Sequence, residues 1–182
     1  MDCVENYVSE EEEDYLLRSL NSETWDTRLA RRVQHYGYTY DYKAYSLQYI
    51  GPLPEWSKDL AERLHTSGYF SHVPTQLIVN EYTPGQGINA HTDHVRLFGP
   101  VIASVTLGSS ASMVLRLNGK DPVETHMPRR SLVVLQGDAR YLWTHEIPRR
   151  KSDMYQGKVI NRGTRVSLTF RTVCETPIDR SL

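Results

Sequence analysis

The 182-residue chain holds two cysteines, Cys3 and Cys174, near opposite ends and with no C-x-x-C pairing. That scarcity argues against a disulfide scaffold and a cysteine-based zinc site, and it suits a reducing compartment. No apolar run approaches the roughly 20 residues that span a bilayer, so no membrane association is expected. The first fourteen residues contain no Lys or Arg, the opposite of a secretory leader, and no signal peptide is read there. The expected location is the cytoplasm, with the nucleus also open. Internal repeats and low-complexity linkers are missing too. One domain is the default at this length, and the oligomeric state is left open.

Hydrophobic residues make up 39 % of the chain and charged ones 24 %, as in a water-soluble globular domain. The formal charge of −1 hides an asymmetry. Seven acids (Asp2, Glu5, Glu10 to Glu13, Asp14) crowd into residues 1–14, so the rest of the chain sets 21 Lys and Arg against 15 acids. Segment 129–171 is the most basic, with ten Lys or Arg against Asp138, Glu146 and Asp153. Such a field draws a polyanion, although a solvated face accounts for the charge equally well.

Ser9 followed by Glu12 is a capping-box pattern, and YLLRSL supplies the apolar side of the helix it starts. A second helix is expected over 23–33, ETWDTRLARRV. A third begins at Pro54, repeats Trp56, Leu60 and Leu64 at helical spacing, and ends at Gly68. From residue 75 the period changes. TQLIVNEY, VIASVTL, SMVLRL, SLVVLQ, YLWTHEI and TRVSLTFRTV are short, β-branched and aromatic, and are punctuated by Gly, Pro, Asn or Asp. Such a run without intervening helices predicts a mainly β chain, a jelly roll or small barrel with flanking helices. The expected organisation is 1–74 for N-terminal helices and a nucleotide-recognition lid, 75–174 for the core, and 175–182 for a tail.

Within NEYTPGQGINAHTDH, residues 80–94, an H-x-D puts His91 and Asp93 on one side of an extended segment. A metal site needs another ligand, and His145 in RYLWTHEI, a strand-like segment 52 residues beyond Asp93, is the best candidate. Two imidazoles and one carboxylate make the facial triad of non-haem Fe(II) oxygenases. Taken alone, His145 reads more readily as a satisfied core histidine. The last strand adds weight. In TRVSLTFRTV, Arg165, Ser167, Thr169 and Arg171 share one face, and Val166, Leu168 and Phe170 the other. Inward arginines are costly unless they meet anions, and about 20 Å of strand accommodates two guanidinium arms with a five-carbon diacid between them. Asn80 and Tyr82, also two apart, can add hydrogen bonds.

N-x-Y with P-G-x-G, then H-x-D, R-Y-x-W-x-H and R-x-S-L-T-F-R, in that order over residues 75–174, is similar to the AlkB family of Fe(II)/2-oxoglutarate dioxygenases. RRVQHYGYTYDY, SVTLGSSASMVL and PRRSLVVLQGDARYLWTHEIPRRKSD extend the likeness toward oxygenase domains of animal tRNA wobble-uridine hydroxylases and single-domain bacterial AlkB-type proteins. The resemblance implies a double-stranded β-helix core. It implies Fe(II) on His91, Asp93 and His145, with 2-oxoglutarate and O2 as co-substrates and ascorbate as a reductant in vitro. Arg165 would hold the far carboxylate of 2-oxoglutarate, helped by Tyr82 and Ser167. Asn80 and Arg171 would lie near the chelating end, which puts Arg171 with the catalytic triad as well.

The expected reaction is hydroxylation or oxidative demethylation of a modified base in nucleic acid, with RNA or tRNA favoured. Repair of alkylated DNA, a protein or small-molecule substrate, and a non-enzymatic binding module are the rivals. Family members that repair methylated bases often carry an acid two places after the metal Asp, and Val95 stands there in this chain. The alternation of Tyr36, Tyr38, Tyr40 and Tyr42 suggests four rings on one strand face, for stacking bases or covering the core. Arg149, Arg150 and Lys151 are candidate phosphate contacts, although an ordinary exposed basic loop is the readier reading. His35, His65, His72 and His126 are read as structural.

Overall fold

The computed structural model describes residues 1–41 and 46–174. Three strands and one helix open the chain: β1 (Asp2–Val4), α1 (Glu10–Asn21), β2 (Arg32–Tyr36) and β3 (Tyr38–Asp41). Then come β4 (Ser46–Tyr49), α2 (Glu55–Thr66), β5 (Gln76–Tyr82), β6 (Ile88–His91), β7 (Phe98–Leu107) and β8 (Ala111–Arg116). The remainder is β9 (Val123–Met127), β10 (Leu132–Leu135), α3 (Asp138–Tyr141), β11 (Thr144–Ile147), β12 (Ser152–Tyr155), β13 (Lys158–Asn161) and β14 (Arg165–Val173). Among the described residues no helix is long and apolar enough to cross a membrane.

A six-stranded sheet in the order β1-β10-β7-β14-β5-β2 faces a four-stranded sheet in the order β6-β11-β8-β9. The pairings are antiparallel, and the two sheets form a double-stranded β-helix, the expected jelly roll. The period-2 pattern of β14 explains how the large sheet works. Val166, Leu168 and Phe170 turn outward and pack with Leu16, Leu20, Leu60 and Leu64 of the two long helices. Arg165, Ser167, Thr169 and Arg171 turn inward and line a cavity between the sheets. Both faces are covered, so one strand carries an apolar stripe and a polar stripe without exposing either.

The helices begin as expected. In α1 the Ser9 N–H donates to Glu12 Oε2 at 2.9 Å and the Glu12 N–H donates to Ser9 Oγ at 3.1 Å, a reciprocal cap. Glu10 to Glu13 fill its first turn, where the helix dipole favours acids. Pro54 caps α2, which buries Trp56, Leu60, Ala61 and Leu64. The helix expected over 23–33 does not form. Asp26 accepts the Arg28 N–H at 3.0 Å in a local turn that competes with helical hydrogen bonds, and Asp26 bridges to Val33. Arg32 onward then joins the sheet, where Arg32 donates to Glu81 at 2.6 Å.

Two other expectations change. YLWTHEI is only half a strand: Gly137 at φ +55 turns the chain into α3, and β11 starts at Thr144. The tyrosines do not share one face. Gly37, at φ +75, separates β2 from β3, and any Cβ there would lie 1.9 Å from the Thr75 carbonyl oxygen. Tyr36 packs edge-on against Trp56, Tyr38 meets Tyr49, and Tyr40 lies beside His94. Tyr42 lies outside the described residues.

The charge asymmetry resolves into ties from α1 to the β core and to α2. Glu13 is fully buried; it accepts the Gly108 N–H at 2.6 Å and Arg129 Nε at 2.7 Å. Arg130 pairs with Glu10 at 2.8 Å, and Arg63 pairs with Glu12. Glu13→Ala strips two donors of their buried acceptor and is expected to cost about 2–3 kcal/mol. Urea denaturation reads the loss directly. Glu13→Gln, which keeps an acceptor for Gly108, is expected to cost less, and an unchanged midpoint in the alanine variant contradicts the anchoring role.

Candidate active site and metal centre

Strand register assembles the site. On the smaller sheet His91 and His145 are cross-strand partners, with ring centroids 4.3 Å apart. Asp93 follows on the turn after β6, and its Oδ2 lies 3.7 Å from His145 Nε2. One ligand atom from each of the three falls within 4.8 Å of the others. On the larger sheet Arg165 is opposite Tyr82, Ser167 opposite Asn80 and Arg171 opposite Gln76. The residues singled out in the sequence as two separate pairs on two strands are thus neighbours on one wall.

The electrostatics suit a divalent cation. Asp93 is 8 % exposed, and burial alone would push its carboxyl up; the Arg171 guanidinium holds it below the usual carboxylate range, so it is ionised. Its Oδ1 accepts Arg171 Nη2 at 2.6 Å, while Oδ2 is buried and has no hydrogen-bond partner among the described residues. Burial lowers His145 to about 4 against the opposing pull of Asp93, so its imidazole is neutral at pH 7. His91 Nδ1 sits 2.8 Å from the Asn89 carbonyl oxygen; donating there leaves Nε2 with a free lone pair. An orphaned carboxylate oxygen beside the two imidazoles fits Fe(II) in a two-histidine, one-carboxylate site with open positions.

Two spaces meet at this triad. The inner cavity, about 530 Å³ with its mouth, runs between the sheets past Ser104, Met113, Leu135 and Ser167 to Arg165. The outer cleft, about 1270 Å³, is bounded by Arg31, His35, Tyr40, Asn89, His94 and Arg149. Asn80, His91, Asp93 and Arg171 line both, so two of the three candidate metal ligands stand in the shared wall, and His145 lines the inner cavity.

The two inward arginines have different partners. Arg171 is committed, donating to Asp93 and to Gln76 Oε1 at 3.0 Å. Arg165 is 4 % exposed and donates to Thr106 Oγ1 at 3.0 Å, with the Tyr82 ring 5.7 Å away and no carboxylate partner among the described residues. Burial lowers it to about 10, which still leaves it cationic at pH 7. A buried unpaired cation at the closed end of a cavity is a receptor for an anion.

Several residues around the site escaped the sequence reading. Arg140 is 2 % exposed and donates to the Asp93 carbonyl at 2.8 Å and to those of His94, Phe98 and Gly99, fixing the turn that presents Asp93. It sits in the R-Y-x-W-x-H stretch, where its spacing carried no sign of this role. Gln76 and Thr106 hold the two arginines, and alternation along β5 and β7 could have put them on the inner face. His35, read as structural, lines the outer cleft. His65, in contrast, meets the Phe70 carbonyl at 2.8 Å, and His126 stacks on Tyr155. Arg150 is consumed by Glu124 and Asp153, so of the candidate phosphate contacts Arg149 and Lys151 remain exposed without an ion pair among the described residues.

Metal affinity separates ligands from supports. His145→Ala and Asp93→Ala are each expected to lower Mn(II) affinity more than about 100-fold, whereas Arg140→Gln, acting through the Asp93 carbonyl, is expected to cost about 10- to 100-fold. Calorimetric titration of the metal-free protein measures both. Equal affinity in the wild type and either ligand variant contradicts the triad.

The chain matches the family model described as the 2OG-Fe(II) oxygenase superfamily over residues 5–171. It is 37 % identical to the Mus musculus tRNA (carboxymethyluridine(34)-5-O)-methyltransferase ALKBH8 across 98 % of this chain and 31 % of that protein. The chain therefore spans about a third of the length of that relative. It is 35 % identical to the uncharacterised protein L905 of Acanthamoeba polyphaga mimivirus, covering 96 % of this chain and 85 % of the viral protein. The solved structure of OsALKBH1 superposes with a TM-score of 0.65 at 17 % identity, covering 93 % of this chain and 95 % of that one, a likeness of fold. With a facial triad, an anion receptor and a jelly roll to hold them, the chain belongs to the 2OG-Fe(II) oxygenase superfamily and, within it, to the AlkB-like dioxygenases.

Proposed function

We propose that this protein uses 2-oxoglutarate, bound in the inner cavity, to oxidise a modified base of a nucleic acid, RNA or tRNA in particular, presented in the outer cleft. The observation that carries the reading is the position of the triad between a cavity closed by an unpaired arginine and an open cleft. Arg165 takes the far carboxylate of the diacid, with Ser167 and Tyr82 beside it. Asn80 and Arg171 flank the end nearest the metal ligands.

Bound Fe(II) and 2-oxoglutarate supply O2 activation: the diacid leaves as succinate and CO2, and one oxygen atom enters a substrate C–H bond. The chain's own residues set the geometry. Arg171 holds Asp93 Oδ1 and leaves Oδ2 to the metal, and Arg140 fixes the turn beneath it. Ile102, Met113, Val133 and Leu135 keep the inner cavity dry around the diacid. An oxidised N-methyl group collapses to formaldehyde and free base, whereas hydroxylation of a carbon-linked side chain leaves a stable alcohol.

The cleft supports a nucleic acid substrate through its rings and charges. Tyr40 and His94 line it, and bases stack on such rings. Arg149 reaches its rim, with Lys151 two residues on, as phosphate contacts. Among the described residues Asp93 is the only acid lining the cleft, against Arg31, Arg149 and Arg171. That balance disfavours a cationic methylated base and favours a neutral or acceptor-rich one, in line with Val95 in place of an acid. The name of the mouse relative, which specifies a uridine of tRNA, agrees with an RNA substrate.

Succinate release from 2-oxoglutarate with Fe(II), paired with mass spectrometry of nucleosides from RNA and alkylated DNA, tests the proposal. Turnover is expected on a pyrimidine of RNA and not on N1-methyladenine. Asp93→Ala is expected to abolish it, and Arg165→Ala to raise the KM for 2-oxoglutarate about 30-fold or more, the loss of a buried charged contact. Oxidation confined to DNA, or to a protein or free metabolite, overturns the substrate assignment.

A further inference from the structure

Arg31 precedes β2 and is anchored there by its surroundings: Asp26 and Val33 exchange backbone hydrogen bonds at 2.8 and 2.9 Å, and Gln86 Nε2 donates to the Ala30 carbonyl at 2.7 Å. Because side chains alternate, Arg32 turns outward to Glu81 while Arg31 turns toward the site. There its Nε donates to Asn80 Oδ1 at 2.8 Å, and its guanidinium lies 5.9 Å from the Tyr82 ring, which Arg165 also approaches. No carboxylate pairs with Arg31 among the described residues, although it is only partly exposed and lines the outer cleft.

The contact fixes the sign of a neutral group. An asparagine amide presents an acceptor at one end and two donors at the other. Guanidinium Nε carries a hydrogen and no free lone pair, so the amide atom facing it must be the oxygen. Asn80 is 7 % exposed and lines both spaces beside the triad, so its NH2 is left as the group available to a ligand. With the opposite orientation, an amide oxygen would confront the oxygens of a bound diacid.

We infer that Arg31 is a positioning residue for co-substrate binding: it locks the Asn80 amide so that its NH2 donates to the metal-proximal end of 2-oxoglutarate. The inference rests on the co-substrate reading of Asn80 proposed above. It also ties the segment before β2, which shapes the outer cleft, to occupancy of the inner cavity through one hydrogen bond.

A double-mutant cycle on the Mn(II)-loaded protein, which binds without turnover, tests it by calorimetric titration of 2-oxoglutarate. Arg31→Ala is expected to weaken binding about tenfold in the wild-type background, the effect of losing one charge-assisted arrangement. In the Asn80→Ala background it is expected to change nothing further. Arg31→Lys, which retains a donor for Oδ1, is expected to recover most of the loss. Mn(II) affinity is expected to stay constant throughout, which a general loosening of the fold would not allow. An equal effect of Arg31→Ala in both backgrounds, or a parallel fall in Mn(II) affinity, overturns the inference. If Asn80→Ala alone leaves 2-oxoglutarate affinity unchanged, the co-substrate role of Asn80 fails first and the inference fails with it.

Discussion

The hydrogen bond from Arg171 to Asp93 is the contact on which the site depends. A carboxylate this deeply buried would ordinarily take up a proton, because desolvation penalises its charged form. One guanidinium opposes that penalty and does so asymmetrically. It occupies Oδ1 and leaves Oδ2 unsatisfied beside His145 Nε2. The carboxylate is thereby charged, oriented and left with one oxygen free of hydrogen bonds, which is the arrangement a metal ligand needs. Arg140 on the backbone of Asp93 and Gln76 on Arg171 hold that arrangement from behind.

The fold supplies the rest by alternation. Along β14 every second residue belongs to the helix-packed core and every other one to the cavity, so stability and chemistry share a strand without sharing a face. The opposite sheet contributes two histidines as cross-strand partners, the closest placement two residues on neighbouring strands can have. Arg165, uncompensated and buried at the other end, is a cation that calls for an anion in the cavity.

This division explains what was legible in the sequence. The period of two in TRVSLTFRTV, the H-x-D and the solitary histidine of THEI each state a local geometry, and the sheets bring them together without altering it. The failures lie where long-range pairing overruled local preference. ETWDTRLARRV has helical composition, yet the Asp26 turn and an open edge on β5 draw Arg32 to Tyr36 into the sheet. The tyrosine alternation is interrupted by Gly37, whose positive φ and contact with Thr75 fit no single strand. Arg31 and Arg140 were beyond reach for another reason: their partners, Asn80 and the Asp93 carbonyl, are 49 and 47 residues away.

A crystal structure of the protein with Mn(II) and 2-oxoglutarate tests the central claim most directly, through the anomalous signal of the metal. The account places the ion on Asp93 Oδ2 and on one nitrogen each of His91 and His145, with Oδ1 still on Arg171. A metal bound to Oδ1 with Arg171 displaced, or one bound away from this triad, contradicts it.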